Sequence, residues 1–302
     1  MHSRLFYSPR KQTAWKLVLS PRLALTTSVL ICTYTTTSTL LININQQPSI
    51  SKEDIMESSG RGAFILFEGV DRCGKTTQAN LLAEHLAGKD NDEKAEFIRF
   101  PDRTTPIGTM INSYLTNASD MEDHSIHLLF SANRWEAVPS MLSKLESGIT
   151  LVCDRYCYSG VAFSAAKEGL AMEWCMSSDI GLPAPDCVIF LDLPIEKARE
   201  RGDFGGERYE KEDMQIKVRS NFFELQCKDK GVIPWHIIDA SQTIEEISEQ
   251  IQEIAEKTKV SAAQAPIGKI WLNLEGTKKV SKNETSNCDD EDPPNKRPKL
   301  EN

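Results

Sequence analysis

No CxxC pair and no cluster with metal-ligand spacing occurs among the eight cysteines of this 302-residue chain (positions 32, 73, 153, 157, 175, 187, 227 and 288). The spacing argues against a zinc site or a thioredoxin-like redox centre and predicts free, mostly buried thiols in a reducing compartment. A basic excess is also missing: the net charge is −9, without the footprint of a generic nucleic-acid binder. No NKxD motif is present to read guanine in the manner of a GTPase switch, and no internal repeat suggests a solenoid. Acidic residues are absent from positions 1–52, against six basic ones (Arg4, Arg10, Lys11, Lys16, Arg22 and Lys52) in a Ser/Thr-rich setting. That is the composition of a mitochondrial transit segment. Residues 23–42 carry no charge and are long enough to span a bilayer, but nine of those twenty are Ser or Thr, which is weak apolar content for a membrane helix. Met56 offers an alternative start just before the apolar sequence begins. The extension 1–58 is therefore read as a transit or optional segment, with an unstructured segment as the bland alternative and a membrane anchor last.

What is present centres on residues 64–77, FILFEGVDRCGKTT. Five mostly apolar residues, 64–68, predict a strand. The run from Gly69 to Thr76 fits GxxxxGK[ST], and Ala79, Leu82, Ala83 and Leu86 continue with helical spacing. Strand, glycine loop and helix in that order are the context a phosphate-binding P-loop needs. Glycines let successive N–H groups curl around one anion, and the helix N-terminus adds partial positive charge. The candidate nucleotide cradle is Gly69, Val70, Asp71, Arg72, Cys73, Gly74, Lys75, Thr76 and Thr77, with Lys75 on the β/γ-phosphates and the Thr76 hydroxyl on Mg²⁺. Asp71 is unfavourable in such a cradle unless it faces another partner, such as a ligand hydroxyl. Arg72 suits charge that develops during phosphoryl transfer.

Further along, residues 96–100 predict a second strand that ends at Pro101-Asp102-Arg103, where ligands bind in open α/β sheets. Residues 124–144 predict a long helix, capped by Asp120 or Asp123, stopped at Gly148 and kinked at Pro139. Phe130 and Arg134, four apart, share one helix face. Spacing alone favours a core Phe beside a surface Arg. Residues 149–153 predict a strand closed by Asp154, an acid at the position that holds Mg²⁺ in P-loop proteins. Arg155 is read either as a phosphate clamp or as an ion-pair partner of Asp154. Strands at 186–193 and 232–239 follow, with helices at 194–201, 210–228 and 243–257. Asp192, at the end of its strand, is left out of the metal set. The charged, glycine-containing stretch 203–209 has the composition of a lid. From residue 273 the tail is polar, acidic and then basic, predicting disorder, and residues 294–300 read as a nuclear-import signal.

The motifs EGVDRCGKTTQ, FPDR, HLLFSANRWE, DRYCYSGVAF, GLPAPD and FGGERYE, in that order and spacing, resemble thymidylate kinase of the eukaryotic kind. The resemblance covers residues 62–272 and takes 59–272 as the kinase domain. It implies a three-layer P-loop nucleoside monophosphate kinase fold: α/β, with a parallel sheet of about five strands and helices on both faces. It implies ATP as donor, Mg²⁺, dTMP as acceptor, and a homodimer. The acceptor site would be Asp71, Phe100, Arg103, Phe130, Arg134, Arg155, Ser159, Gly160 and Tyr209. In it, Phe130 stacks on thymine, Arg134 bonds O4, Arg103 and Arg155 hold the phosphate, Asp71 takes the 3′-hydroxyl and Tyr209 closes over the deoxyribose. The catalytic set is Arg72, Lys75 and Asp71, and the metal pair is Thr76 with Asp154. Because Arg72 stands in the P-loop, Arg208 of the lid is expected to be structural or adenine-side. The expected compartments are cytoplasm and nucleus, with mitochondrion for a form that carries residues 1–55. Neither direct nucleic-acid binding nor membrane association is expected.

Overall fold

The computed structural model describes residues 60–88, 94–201 and 206–272. The N-terminal extension, the C-terminal tail with its basic motif, and Gly202 to Gly205 at the start of the lid lie outside the described residues. Five strands, β1 (Phe64–Glu68), β2 (Ala95–Arg99), β3 (Thr150–Asp154), β4 (Cys187–Asp192) and β5 (Trp235–Asp239), form one sheet in the order β2-β3-β1-β4-β5. Every pairing is parallel, as the alternation of strand and helix patterns requires. The central three strands are apolar almost throughout because both of their faces are covered.

Eight helices supply the crossovers: α1 (Lys75–Leu86), α2 (Pro106–Leu115), α3 (Asp123–Glu146), α4 (Cys157–Ala165), α5 (Met172–Ser177), α6 (Ile195–Glu200), α7 (Glu212–Lys228) and α8 (Ile244–Ala262). Successive strand residues point to opposite faces, and the core divides accordingly. Phe64, Leu66, Leu151, Cys153, Val188 and Phe190 meet Leu145 of α3, Val161 of α4, Cys175 of α5 and Phe222 of α7. Ile65, Phe67, Val152, Ile189 and Leu191 meet Leu82 of α1, Ala198 of α6 and Ile251 of α8. These are the three layers of the expected fold.

Local details differ from the sequence expectation in four places. Helix α2 was not expected, although Pro106 at its start and the Thr105 hydroxyl, which accepts from the Gly108 amide, give it an ordinary beginning. Helix α5, six residues long, was also missed. The cap of α3 is Glu122 rather than Asp120 or Asp123, and its carboxylate accepts from the His124 and Ser125 amides. Helix α8 runs on to Ala262, behind a capping box between Thr243 and Glu246.

A C-terminal segment follows α8 and straps the loop before β4. The Gly181 amide donates to the Ile270 carbonyl (3.0 Å), the Ile270 amide to Leu182 (2.9 Å) and the Ala184 amide to Gly268 (2.9 Å). Trp271 then plugs into the core. Its Nε1 donates to Asp229 (3.1 Å), and its ring meets Tyr158 edge-on with centroids 5.5 Å apart. Burial holds the Asp229 carboxyl above its usual range, opposed by hydrogen bonds from Tyr158, Trp235 and Trp271. Trp271→Ala is expected to lower the unfolding free energy by about 3 kcal/mol or more through the cavity and the lost donor, read by urea unfolding. A loss under about 1 kcal/mol would mean that the strap contributes little.

Candidate active site

The loop between β1 and α1 owes its curl to two glycines in the left-handed region, Gly69 at φ 146° and Gly74 at φ 101°. A Cβ on Gly69 would lie 2.6 Å from the Leu191 carbonyl oxygen and 2.8 Å from Cys73 Sγ, so only glycine lets the loop hug β4. Lys75, almost fully buried, donates from Nζ to the Val70 carbonyl at 2.5 Å. Cys73 is buried beneath the loop, a small apolar residue in its place. No acidic residue occupies the first turn of α1, which keeps that helix end attractive to an anion.

Asp154 closes β3, as expected, and stands across from the loop. The Thr76 hydroxyl donates to its Oδ2 at 2.5 Å, while its Oδ1 is buried with no hydrogen-bond partner among the described residues. A buried, unpaired carboxylate oxygen beside a hydroxyl suits a hard cation that takes oxygen ligands. The two proposed magnesium ligands are thus adjacent. The alternative pairing of Arg155 with Asp154 is corrected: the cation at Asp154 is Arg99, 3.5 Å away.

Arg155 pairs instead with Asp71. Its Nη2 donates to Asp71 Oδ1, and its Nη1 donates to Ser159 Oγ (3.0 Å) and to the Gly69 carbonyl (3.3 Å). The guanidinium also lies 5.2 Å from the Phe163 ring centroid. On the other side of Asp71, Gln215 of α7 accepts from the Asp71 amide (2.9 Å) and donates to Asp71 Oδ2 (2.6 Å) and the Tyr209 carbonyl (2.9 Å). One glutamine amide therefore ties the P-loop carboxylate to the Tyr209 backbone.

Behind Ser159 lies Glu68, wholly buried at the end of β1. It accepts from the amides of Tyr156 (2.9 Å) and Ser159 (3.0 Å) and from the Ser159 hydroxyl (2.5 Å). Burial pushes this carboxyl above its usual range, against the Ser159 hydroxyl and the nearby Arg155. Glu68 fixes the turn from β3 into α4 and so sets where Ser159 and Arg155 sit. Its signal, an acid closing an apolar strand, is the one that identified Asp154.

Two of the arginines expected to handle phosphate contact the stretch expected to act as a lid. Arg103 donates to Glu207 at 2.8 and 3.1 Å and to Asn112 at 3.0 Å. Arg72, at φ 62°, donates to Glu210 at 3.0 Å. Arg208 serves structure, one of the two roles expected of it. It binds the carbonyls of Tyr114 and Ser119 and the Asp120 carboxylate, and its guanidinium lies 4.0 Å from the Tyr114 ring centroid. Tyr209 packs on Phe163 and Tyr114. Asp192 is bound bidentately by Arg219 at 2.7 Å.

Phe130 and Arg134 both line the same cavity, together with Phe100, Arg103, Gly160 and Tyr209. Arg134 is buried rather than on the surface, bound to Asp179. Gly160 lines this cavity and also meets Arg134. A Cβ there would lie 2.7 Å from Arg134 Nη2, so bare backbone makes room for the guanidinium. A second cavity is lined by Arg72, Lys75, Thr76 and Thr77 with Gln242, Ile244 and Ile247 at the start of α8. The two cavities share three walls: Asp71, Arg99 and Arg155. The arrangement offers an anion cradle on one side and a second cationic site on the other, with a guanidinium, an aspartate and an exposed arginine between them. Asp179, Gln215, Glu68, Glu207, Glu210 and Arg99 are the participants that sequence reasoning missed.

The family model described as thymidylate kinase matches residues 67–251. The chain is 51% identical over 214 residues to a thymidylate kinase of Danio rerio, covering 71% of this chain and 99% of that protein. It is 48% identical over 211 residues to a thymidylate kinase of Homo sapiens, covering 70% and 98% respectively. A solved structure of thymidylate kinase from Candida albicans superposes with a TM-score of 0.62 at 37% identity, covering 70% of this chain and 99% of that one.

Proposed function

The chain belongs to the thymidylate kinase family, and from that premise we propose that it transfers the γ-phosphoryl group of ATP to dTMP, giving dTDP and ADP. The observation that carries this reading is the pair of cavities with Asp71, Arg99 and Arg155 as their common wall. A donor nucleotide in the P-loop cavity and an acceptor phosphate in the other would meet at that wall, as a transfer between them requires.

Lys75 and the loop amides hold the donor phosphates. An oxygen of the acceptor phosphate attacks the γ-phosphorus while the bond to the β,γ-bridging oxygen breaks, and the leaving group is ADP. The attacking oxygen is already ionised, so the site needs no strong general base. What it supplies is position and positive charge. Arg155 and Arg103 orient the acceptor phosphate through charge-assisted hydrogen bonds, and Arg72 takes up charge on the transferring group. Asp71 receives the 3′-hydroxyl. Phe130 stacks on the base, and Arg134 donates to its O4. Thr76 and Asp154 would hold Mg²⁺, which when bound neutralises charge on the donor phosphates. The unpaired Asp154 Oδ1 beside the Thr76 hydroxyl supports that pair.

The test is ADP release by the full chain with ATP and Mg²⁺, comparing dTMP, dUMP, UMP, dCMP, AMP and thymidine as acceptors. The expected result is strong preference for dTMP, with thymidine inert because it brings no phosphate to Arg103 and Arg155. Preference for another monophosphate would overturn the base reading and leave the phosphate chemistry standing. Turnover of thymidine would overturn the phosphate clamp.

Two further parts of the reading come from sequence and family. The homodimer is tested by light scattering of the purified chain. Cytoplasmic and nuclear residence, with a mitochondrial form that keeps residues 1–55, is tested by imaging the chain with and without residues 1–55 and 294–300. Among the described residues no helix is long and apolar enough to cross a membrane.

A further inference from the structure

Arg134 and Asp179 are 2% and 0% exposed, a charge pair shut away from water in the wall of the acceptor cavity. Asp179 takes two of the guanidinium's three nitrogens: Nη2 donates to Oδ2 at 2.6 Å and Nε to Oδ1 at 3.2 Å. Burial alone would depress the guanidinium, but the Asp179 charge and hydrogen bonds more than offset it. The carboxylate is itself held. The Ser131 hydroxyl donates to Oδ1 at 2.8 Å, and the Asp179 amide donates to the Met176 carbonyl. Two residues later the chain enters the loop that the C-terminal strap fastens at Gly181 and Leu182. On the other side of the guanidinium, Gly160 offers backbone so close that a Cβ would lie 2.7 Å from Nη2 and 2.9 Å from Nη1. The group is clamped on both sides. Its remaining nitrogen, Nη1, has no hydrogen-bond partner among the described residues, and Arg134 lines the cavity with Phe100 and Phe130.

From this arrangement we propose that Asp179 is a specificity-determining positioning residue, which occupies Nε and Nη2 of Arg134 and thereby presents Nη1 to the base as a fixed donor. The proposal rests on the reading of this cavity as the acceptor-base site. A guanidinium is donor-only, with five N–H groups on a long flexible stem. Left unanchored, it would turn several different donors toward the cavity or withdraw from an unsuitable base. Anchored, it offers its donor in one place, where a carbonyl is satisfied and an amino group leaves two donors facing each other. Discrimination between carbonyl-bearing and amino-bearing pyrimidines at that position then depends on a carboxylate that never meets the ligand.

The experiment is steady-state kinetics of the full chain with dTMP and dCMP, for the wild type, Asp179→Asn, Arg134→Met and the double variant. Asp179→Asn is expected to raise KM for dTMP about 10- to 100-fold, the scale of an ångström-level misplacement. The expected change in kcat is small, and KM for ATP stays put, reporting an intact fold. The ratio of kcat/KM for dTMP over dCMP should fall at least about tenfold. In the Arg134→Met background the same substitution should alter that ratio by less than about twofold, because the residue through which it acts is gone. An unchanged ratio in Asp179→Asn, or an equal fall in both backgrounds, overturns the proposal. If Asp179→Asn does not fold, Ser131→Ala removes the hydroxyl that orients the carboxylate and should lower the ratio about threefold at constant kcat. No change there would overturn it equally. A wild-type chain inert toward dTMP would instead refute the acceptor-site reading itself.

Discussion

Replacing Arg72 by alanine is expected to lower kcat by at least about 100-fold, toward the roughly 10³- to 10⁵-fold that transition-state arginines contribute in phosphoryl transfer. KM for dTMP and for ATP should change by far less, since the interaction strengthens only as charge moves onto the transferring group. Arg72 already sits at φ 62°, so alanine adds no new backbone strain, and the melting temperature should hardly move. The competing explanation is that Arg72 matters by holding Glu210 and hence the lid. Glu210→Gln separates the two. It weakens the same pair from the other side and should cost kcat much less than Arg72→Ala does. Equal losses in both variants would assign Arg72 to lid closure, and an unchanged kcat in Arg72→Ala would remove it from the chemistry.

The second large effect belongs to Arg155. Its guanidinium is only 14% exposed, with Nη2 on Asp71 and Nη1 on Ser159 and the Gly69 carbonyl. If Arg155 clamps the acceptor phosphate as proposed, alanine would remove two charge-assisted donors from it, together about 4 kcal/mol or roughly three orders of magnitude in kcat/KM for dTMP. It would also leave the Asp71 carboxylate with Gln215 alone, a negative charge facing two arriving phosphates. The loss should therefore fall on both KM for dTMP and kcat, while binding of ADP, titrated directly, stays within a few-fold. A drop in kcat/KM smaller than about tenfold would make Arg155 a structural partner of Asp71 and shift the clamp to Arg103.

The layout of the fold was legible because its signals are local. Residues 64–77 spell a strand, a loop and a helix start in unbroken order, and the apolar strands predict a sheet covered on both faces. Helix α5 spans six residues, too few for a 3.6-residue period to declare itself. Helix α2 is ten residues long, and its only local signal is the Thr-Pro start. The site was legible to the extent that single residue types declare their chemistry: lysine and threonine in the loop, and an acid at the end of β3. Its partnerships were not. Asp179 lies 45 positions from Arg134 and Asp71 lies 84 from Arg155, and nothing along the chain says which acid meets which arginine. On spacing alone Arg134 belonged on the surface. It is buried because a carboxylate from the turn after α5 and a glycine of α4 close around it.

The lid contacts of Arg72 and Arg103 carry a consequence for how binding responds to salt. Both guanidiniums donate to acidic side chains, Glu210 and Glu207 respectively, and Arg155 donates to Asp71. If these arginines take nucleotide phosphates as proposed, each arriving phosphate replaces a tethered carboxylate, where an open basic groove would shed mobile ions into the solvent. The cation is neutralised before and after, so few free ions change places. Affinity for the monophosphate should accordingly decline with ionic strength more gently than its charge implies, because the usual entropic gain from counterion release is largely absent. The displaced glutamates, repelled by the incoming anion, are left to rearrange with the segment that carries them.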